Sequence, residues 1–551
     1  MKQFIFIVSA VLSLFLSACK KSDNPPPVVP KWFDYQSATI NNQPFNNLAQ
    51  NMPLTPAIRI TFDEAINAST VNNAISLMYG TATLSYNFSL ENSDKTILLQ
   101  PVTKFPSLGS FTLAITNTLR SKADATLRNQ QTLSFRTGLD SSRKFPAISN
   151  DALLTKVQEQ TFKYFWDFAH PVSGLARERN TSGETVTSGG SGFGIMAIPV
   201  GIERGFISRA DGLARMQKIT GFLKNTAVKV KGAFSHWING STGAIVPFSA
   251  NDNGADLVET SLLMMGLLTA RQYFDGAGAE ATLRNDINEL YQNVEWDWFR
   301  RDGQNVLYWH YSPDKQWTMN LPINGWNECL ITYVLAAASP THGIPKIVYD
   351  NGWARNGNMR NGNTYYNYVL PVGPNLGGPL FLSHYSFLGI KPIGLTDAYA
   401  NYETYVKNHT LINYEYSRAN PKNFLGYSDS IWGLTASDIP NGYTASSPTN
   451  DVGVIAPTAA LSAFPYAPEK SMAALHFYYY VLGDKLWKEY GFIDAFSLQQ
   501  SWFASSYLAI DQGPIILMIE NYRTGLLWNL FTSGPEIKTA MRNLGFTAPY
   551  L

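Results

Sequence analysis

Cysteine is nearly absent from this 551-residue chain: there are two, Cys19 and Cys329. So few cannot build a disulfide framework, and stability has to come from core burial. Charge is sparse at 15% of residues and balanced, Lys+Arg 42 against Asp+Glu 41, for a formal net charge of +1. No field of one sign is available to attract a polyanion, so nucleic acid is not an expected partner. Past the N-terminus no stretch reaches the roughly 18 to 20 uninterrupted apolar residues of a membrane span. The seven histidines show no His-Glu-x-x-His pattern and no His/Cys spacing for zinc, so no metal or other cofactor is expected. A Gly-x-Ser-x-Gly elbow and a phosphate loop are missing too. Ser188-Gly189-Gly190-Ser191-Gly192 lacks the preceding strand of a nucleotide site and reads as a loop at a cleft edge.

Aromatic residues, by contrast, are plentiful: 13% of the chain, with 13 Trp and 29 Tyr. Flat amphipathic rings stack on sugars, although core packing must absorb most of them. The N-terminus carries Lys2, an apolar stretch from Phe4 to Leu16, and then Leu16-Ser17-Ala18-Cys19. This resembles a bacterial lipobox, which implies cleavage of residues 1–18 and a diacylglycerol on Cys19. Residues 19–31, with Pro25-Pro26-Pro27, suit a stiff tether. The expectation is a monomer in the cell envelope, held by lipid alone at the periplasmic face or the outer-membrane surface.

Length favours two domains. From residue 32 to 138 the apolar residues alternate: Ile58, Ile60 and Phe62, then Phe111, Leu113 and Ile115, then Leu133 and Phe135. These are half-buried strands, and turn-rich stretches between them fit an antiparallel sandwich of about seven. The stretches Ile60-Thr61-Phe62-Asp63 and Leu133-Ser134-Phe135-Arg136-Thr137 resemble bacterial immunoglobulin-like domains, for which a spacer role is expected. Residues 139–150 read as a linker. From 151 to 551 the period is helical, opening with Leu153 to Phe168. Three stretches, Leu257 to Phe274, Cys329 to Ala338 and Pro514 to Ile519, are apolar on nearly every face and must be walled in on all sides. A double ring of helices, an α/α toroid, would supply those walls.

Acidic residues stand at the N-terminal lip of each of those three helices: Asp252, Asp256 and Glu259 at the first, Glu328 at the second, Asp511 at the third. Asp256 and Glu259 are three apart, hence on one face of a first turn. Each acid alone is explained by helix capping, worth a few tenths to about 1 kcal/mol. Three acidic lips on fully buried helices are not, since one neutral Ser or Thr would serve each. Opposed carboxylates are the equipment of glycoside hydrolysis, one protonating the leaving oxygen and one activating water or attacking carbon. Carboxylates held together also raise one another's pKa, as a general acid requires.

Around these lips the second domain is similar to a known family. Thr161-Phe162-Lys163-Tyr164-Phe165-Trp166-Asp167, Gly201-Ile202-Glu203-Arg204-Gly205, the run from Asp252 to Ser261, Ala338-Ser339-Pro340-Thr341-His342, and the run from Ile510 to Trp528 resemble the bacterial glucoamylase-like group that includes the β-1,2-glucanases of glycoside hydrolase family 144. The resemblance implies an all-α (α/α)6 barrel and metal-free, anomer-inverting hydrolysis of β-1,2-glucan. It also implies roles: Glu328 as general acid, Asp511 as general base, and Asp252, Asp256 and Glu259 as cleft acids. An inverting pair would stand about 6.5 to 9.5 Å apart, or further if a substrate hydroxyl relays the proton. His236, Trp237, Trp326, Tyr427 and Trp432 are candidates for sugar stacking, with core packing the alternative for each. Glu203 and Arg204 form either a structural ion pair, which is favoured, or a clamp on sugar hydroxyls. Three other outcomes stay open: an exo-acting glucoamylase-like hydrolase of another linkage, a non-catalytic glycan-binding lipoprotein, and a transglycosylase.

Overall fold

The computed structural model describes residues 30–46 and 48–551. The expected signal segment, Cys19 and nearly all of the tether therefore lie outside the described residues. The chain divides into two compact units, Met1–Asp140 and Ser141–Leu551.

The first unit is built from two five-stranded sheets. In one, the main strands Tyr35–Ile40, Ile58–Phe62, Thr96–Pro101 and Tyr86–Glu91 pair antiparallel in that spatial order. In the other, Leu48–Met52 runs parallel to Gln131–Thr137, which pairs antiparallel with Ser110–Ile115 and that in turn with Ile75–Tyr79. A two-residue edge strand completes each sheet, so the strands outnumber the seven expected. The period-two pattern has its expected consequence: Ile58, Ile60 and Phe62, like Phe111, Leu113 and Ile115, are buried while the residues between them are partly exposed. Their side chains make one core, with the Phe111 ring stacked on Phe105 at 4.6 Å and on Phe135 at 5.1 Å.

The second unit is mainly helical, with short two- to four-residue strand pairs in its loops. Its longer helices are α1 (Asn150–Trp166), α2 (Ser188–Glu203), α3 (Arg209–Asn225), α4 (Leu257–Tyr273), α5 (Ala279–Gln292), α6 (Leu330–Ala338), α7 (Tyr402–Ala419), α8 (Pro457–Leu461), α9 (Pro468–His476), α10 (Ala509–Arg523), α11 (Leu526–Ser533) and α12 (Pro535–Leu544). Buried and half-exposed helices alternate along the chain. α2, α4, α6, α8 and α10 are buried on nearly every face, whereas α1, α3, α5, α7 and α9 bury one stripe. The buried helices neighbour one another in the order α8, α10, α2, α4, α6. Among the described residues no helix is long and apolar enough to cross a membrane.

α2 corrects the reading of residues 188–192 as a loop. Those residues are the opening turns of a buried helix that carries five glycines and Pro199, a composition that disfavours helix in water. Tertiary contact overrides propensity here: a Cβ on Gly192 would lie 2.2 Å from the Leu262 carbonyl oxygen, and one on Gly266 2.2 Å from the Gly192 carbonyl oxygen. α2 and α4 thus touch backbone to backbone, which no residue with a side chain permits. α10 likewise begins earlier than its proline suggests. The helix opens at Ala509, so Pro514 is its sixth residue rather than part of its first turn.

Gly266→Ala is expected to cost about 1–3 kcal/mol through overpacking of that crossing. Gly221→Ala in α3, where a Cβ would meet nothing within 4 Å, should stabilise by about 0.5–1 kcal/mol. Chemical denaturation of both variants checks the pair; equal effects would contradict the backbone contact.

Candidate active site

The N-termini of α2, α4 and α10 meet at one rim. Ser149, Ser208 and Asn401 cap α1, α3 and α7 with their own side chains, but α2, α6 and α10 have no such cap. Their free N–H groups need other acceptors. For α2 the acceptor comes from α4: the Gly189 N–H donates to Glu259 Oε2 at 2.9 Å, and the Thr187 hydroxyl donates to the same oxygen at 3.4 Å. Glu259 therefore sits in the positive end of a neighbouring helix dipole. One residue on, a Cβ at Gly190 would lie 2.6 Å from that of Ala509, the first residue of α10.

Asp256 is a helix cap as well as a cleft acid. Its Oδ1 accepts the backbone N–H groups of Val258 and Glu259 at 3.0 and 2.9 Å, and its Oδ2 lies 3.1 Å from His236 Nδ1 and 3.7 Å from His310 Nδ1. Strand pairing brings His310 there: residues 255–256 run antiparallel to 310–311, with Asp256 opposite His310. His310 Nδ1 is also 3.1 Å from Asp252 Oδ2, an ion-pair contact whose angle is poor for a hydrogen bond. Three acids and two imidazoles thus form one cluster, with Asp252, Asp256 and His310 buried and His236 and Glu259 partly exposed. Burial works against the His236 charge, yet Glu259, Asp256 and Asp252 together raise its pKa to about 9. Against the same penalty, Asp252 and Asp256 raise that of His310. Burial pushes Asp256 up, but His236 and His310 outweigh it and hold the carboxyl below its ordinary value. Glu259 goes the other way, raised by burial and by the nearby Asp256 charge. Asp252, Asp256 and His310 place ligand atoms within 4.8 Å of one another, close enough to hold a cation.

Glu328 and Asp511 lie where that compensation runs out. Burial raises Glu328 to about 7, with Glu259 and Asp256 adding to the effect. Burial also raises Asp511 well above the carboxylate range, helped by the adjacent Asp494 and Asp438. The Tyr385 hydroxyl, raised first by burial, also lies within electrostatic reach of Asp511, Glu259 and Glu328. Behind Asp511 stands a second polar group. Arg179 Nη1 is 3.1 Å from Asp438 and its Nε 3.0 Å from Glu178, the Ser506 hydroxyl donates to Asp438 at 2.5 Å, and the Asp438 N–H donates to Asp494 Oδ2 at 2.7 Å. A cavity of about 500 Å³ opens beside them, lined by Arg179, Asp438, Tyr443, Trp502, Phe503 and Ser506 among others.

The stacking candidates divide. His236 packs on Phe248 at 4.2 Å and Trp237 meets the same ring edge-on at 4.9 Å; Phe248 is 48% exposed and forms a platform over the acid cluster. Three others are corrected to core. Trp326 is buried among Tyr405, Tyr402 and Trp353, at 4.6, 5.5 and 5.7 Å. Tyr427 is buried and donates to Asp451 at 2.8 Å, and Trp432 is fully buried with its Nε1 on the Lys470 carbonyl. Glu203 and Arg204 are corrected as well. They do not pair with each other, and they stand at the end of α2 remote from Glu259. Arg204 grips Glu520 of α10 with two 2.7 Å bonds, while Glu203 accepts from the Tyr273 hydroxyl at 2.7 Å. Residues 178 and 179, Phe248, His310, Tyr385, Asp438, Tyr443, Asp494 and Trp502 were not expected at the site. Asp494 carried a signal, as a lone acid in the apolar run Phe492-Ile493-Asp494-Ala495-Phe496. His310 and Arg179 arrive through loop pairings that no local pattern announces.

Comparison with known proteins fits this geometry. A family model described as "Putative glucoamylase" matches residues 320–535, and one for a bacterial Ig-like domain matches residues 36–137. The solved endo-β-1,2-glucanase from Chitinophaga pinensis is 51% identical, covers 74% of this chain and 100% of its own, and superposes with a TM-score of 0.72. The chain belongs to the glycoside hydrolase family 144-like group. A β-1,2-glucanase from Parabacteroides distasonis is 38% identical over 94% of this chain and 73% of its own, TM-score 0.70, so the resemblance extends through both units of this family member. A curated relative from that organism, an exo β-1,2-glucooligosaccharide sophorohydrolase acting at the non-reducing end, is 47% identical over 421 residues, 72% of this chain. The chain spans 58% of that relative's length. An endo-β-1,2-glucanase from Talaromyces funiculosus, 11% identical with a TM-score of 0.55, shares the fold.

Arg204→Met would strand Glu520, whose side chain is 1% exposed, and should cost about 3 kcal/mol in chemical denaturation. KM for a β-glucan oligosaccharide should stay unchanged; a raised KM would return Arg204 to the substrate.

Proposed function

We propose that this chain hydrolyses β-1,2-glucan with inversion at the anomeric carbon, with Glu328 as general acid and Asp511 as general base. The observation that carries the reading is the contrast between two groups of acids on one rim. Asp252, Asp256 and Glu259 have imidazolium partners, whereas Glu328 and Asp511 have no cation in contact among the described residues. The neutralised group serves to bind and orient sugar hydroxyls, while the other two exchange protons. Glu328, raised to about 7, still holds a proton at neutral pH and delivers it to the leaving oxygen. Asp511 takes the proton of the attacking water on the opposite side. Relatives named for endo and for exo action on β-1,2-linked glucose support the substrate.

The helix pattern supports the finer architecture. Outer and inner helices alternate as α1–α2, α3–α4, α5–α6, residues 346–353 with 380–388, α7–α8 and α9–α10. Six such pairs are what an (α/α)6 barrel needs, and the adjacency of the inner helices suits a closed ring. The lipobox resemblance supports a monomer tethered to the cell envelope through Cys19, on the periplasmic face or the outer-membrane surface.

Purified protein lacking Cys19, incubated with linear β-1,2-glucan and in parallel with soluble starch, should release oligosaccharides from the first alone. Product length then reads endo against exo action. Glu328→Gln and Asp511→Asn should each lower kcat by about 10²- to 10⁴-fold with the melting transition retained. Cleavage of starch alone, or unchanged turnover in both variants, would overturn the assignment. Because the acid is protonated below its pKa and ionised above it, kcat/KM should fall as pH rises through about 7. Activity still rising two units higher would remove Glu328 from that role.

A further inference from the structure

The carboxyl group of Asp494 lies out of water beside that of Asp511: the two residues are 1% and 2% exposed, and each carboxyl perturbs the other. Asp494 Oδ2 is held by the Asp438 N–H at 2.7 Å, while Asp494 Oδ1 and Asp511 Oδ2 are buried with no hydrogen-bond partner. Two neighbouring carboxyls this deeply buried, each with a partnerless oxygen, cannot both stay charged without a cation between them, so one of them holds a proton. The charged and titratable groups facing the pair are Asp438, Arg179, Tyr443 and Tyr385. Arg179 is the one cation among them, and its guanidinium is already committed to Glu178 and Asp438. The contrast with the other acid cluster is chemical: there two imidazoles carry the compensating charge, and here a proton must.

Resting on the reading of Asp511 as the base, we propose that Asp494 is its positioning residue. The two carboxyls hold one proton between them, and Arg179 fixes the pair through Asp438. As water adds to the anomeric carbon, one of its O–H bonds breaks and that proton goes to Asp511, so the pair passes from singly charged to neutral. The electron pair of the breaking glycosidic bond leaves with the sugar oxygen, which takes its proton from Glu328. The pair then returns one proton to solvent through the cavity beside Asp438 and Tyr443, and Glu328 takes one up.

Asp494→Asn tests this on the full chain lacking Cys19, because the amide oxygen can still accept the Asp438 N–H. The first readout needs no substrate. In the infrared spectrum, read with Glu328→Gln in every sample so that its carboxyl is silent, the wild-type pair should keep a protonated-carboxyl band about two pH units above the point at which Asp494→Asn and Asp511→Asn have lost it. The second is kinetic, on β-1,2-gluco-oligosaccharides: Asp494→Asn should lower kcat at least about tenfold with KM within twofold, and Asp511→Asn should lower it by about 10²- to 10⁴-fold. A wild-type band that titrates together with both variants would overturn the shared proton, as would an Asp494→Asn enzyme with wild-type kcat. If the wild type cleaves no β-1,2-glucan, the functional reading fails while the infrared comparison still decides the pair. Should Asp494→Asn not fold, the infrared difference between wild type and Asp511→Asn decides the shared proton in its place.

Discussion

How closely α2 can approach α4 decides where the cleft chemistry sits. With Gly192 against the Leu262 backbone and Gly266 against that of Gly192, the two helices come near enough for the opening N–H of α2 to be satisfied by a carboxylate from α4. A wider crossing would strand that donor and leave Glu259 without its best partner. The same first turn abuts the start of α10 through Gly190, so one glycine-rich helix sets the positions of both Glu259 and Asp511. The poor helix propensity of α2 is the cost of that placement, offset by its complete burial.

Helix termini supply the acids, and loops supply what controls them. Asp256, Glu259 and Asp511 belong to first turns, where the chain direction is fixed by packed helices. His310, Arg179 and Asp438 come from short strand pairings between helices, and His236 from the residue just before one. Burial alone would drive every carboxyl at the rim toward its neutral form. Loop cations oppose that drive: Asp256 is held below its ordinary value, whereas Glu259 stays raised. The imidazoles reach Asp252, Asp256 and Glu259, and none reaches Glu328 or Asp511.

Strand and helix periodicity made much of this legible. The alternation at Ile58 to Phe62 and Phe111 to Ile115 marked buried sheet faces, and the apolar circumference of Leu257 to Phe274 marked a walled-in helix. Acids at helix lips were readable because their spacing is local. α2 was not readable as a helix, since glycine and serine signal a loop unless a neighbouring backbone takes up the space their side chains vacate. Trp326, Tyr427 and Trp432 lie in loop sequence, and loop sequence gives no sign that a ring is enclosed by Tyr402, Tyr405, Asp451 or Lys470. Arg204 sits next to Glu203 in the chain, yet helix geometry sends adjacent side chains in different directions, and its partner is Glu520, more than three hundred residues away.

The sparse charge of the chain acquires a meaning at the rim. The groups that set protonation there are buried and separated by about one hydrogen-bond length, far less than the distance over which dissolved ions screen at ordinary salt, roughly 8–10 Å. Counter-ions have no room to enter between Asp256 and His236, or between Asp252 and His310. A neutral sugar, moreover, gains nothing from long-range electrostatic steering. The protonation states on which the cleft depends are therefore insulated from ionic strength, and a protein so arranged would behave alike in dilute and in saline surroundings.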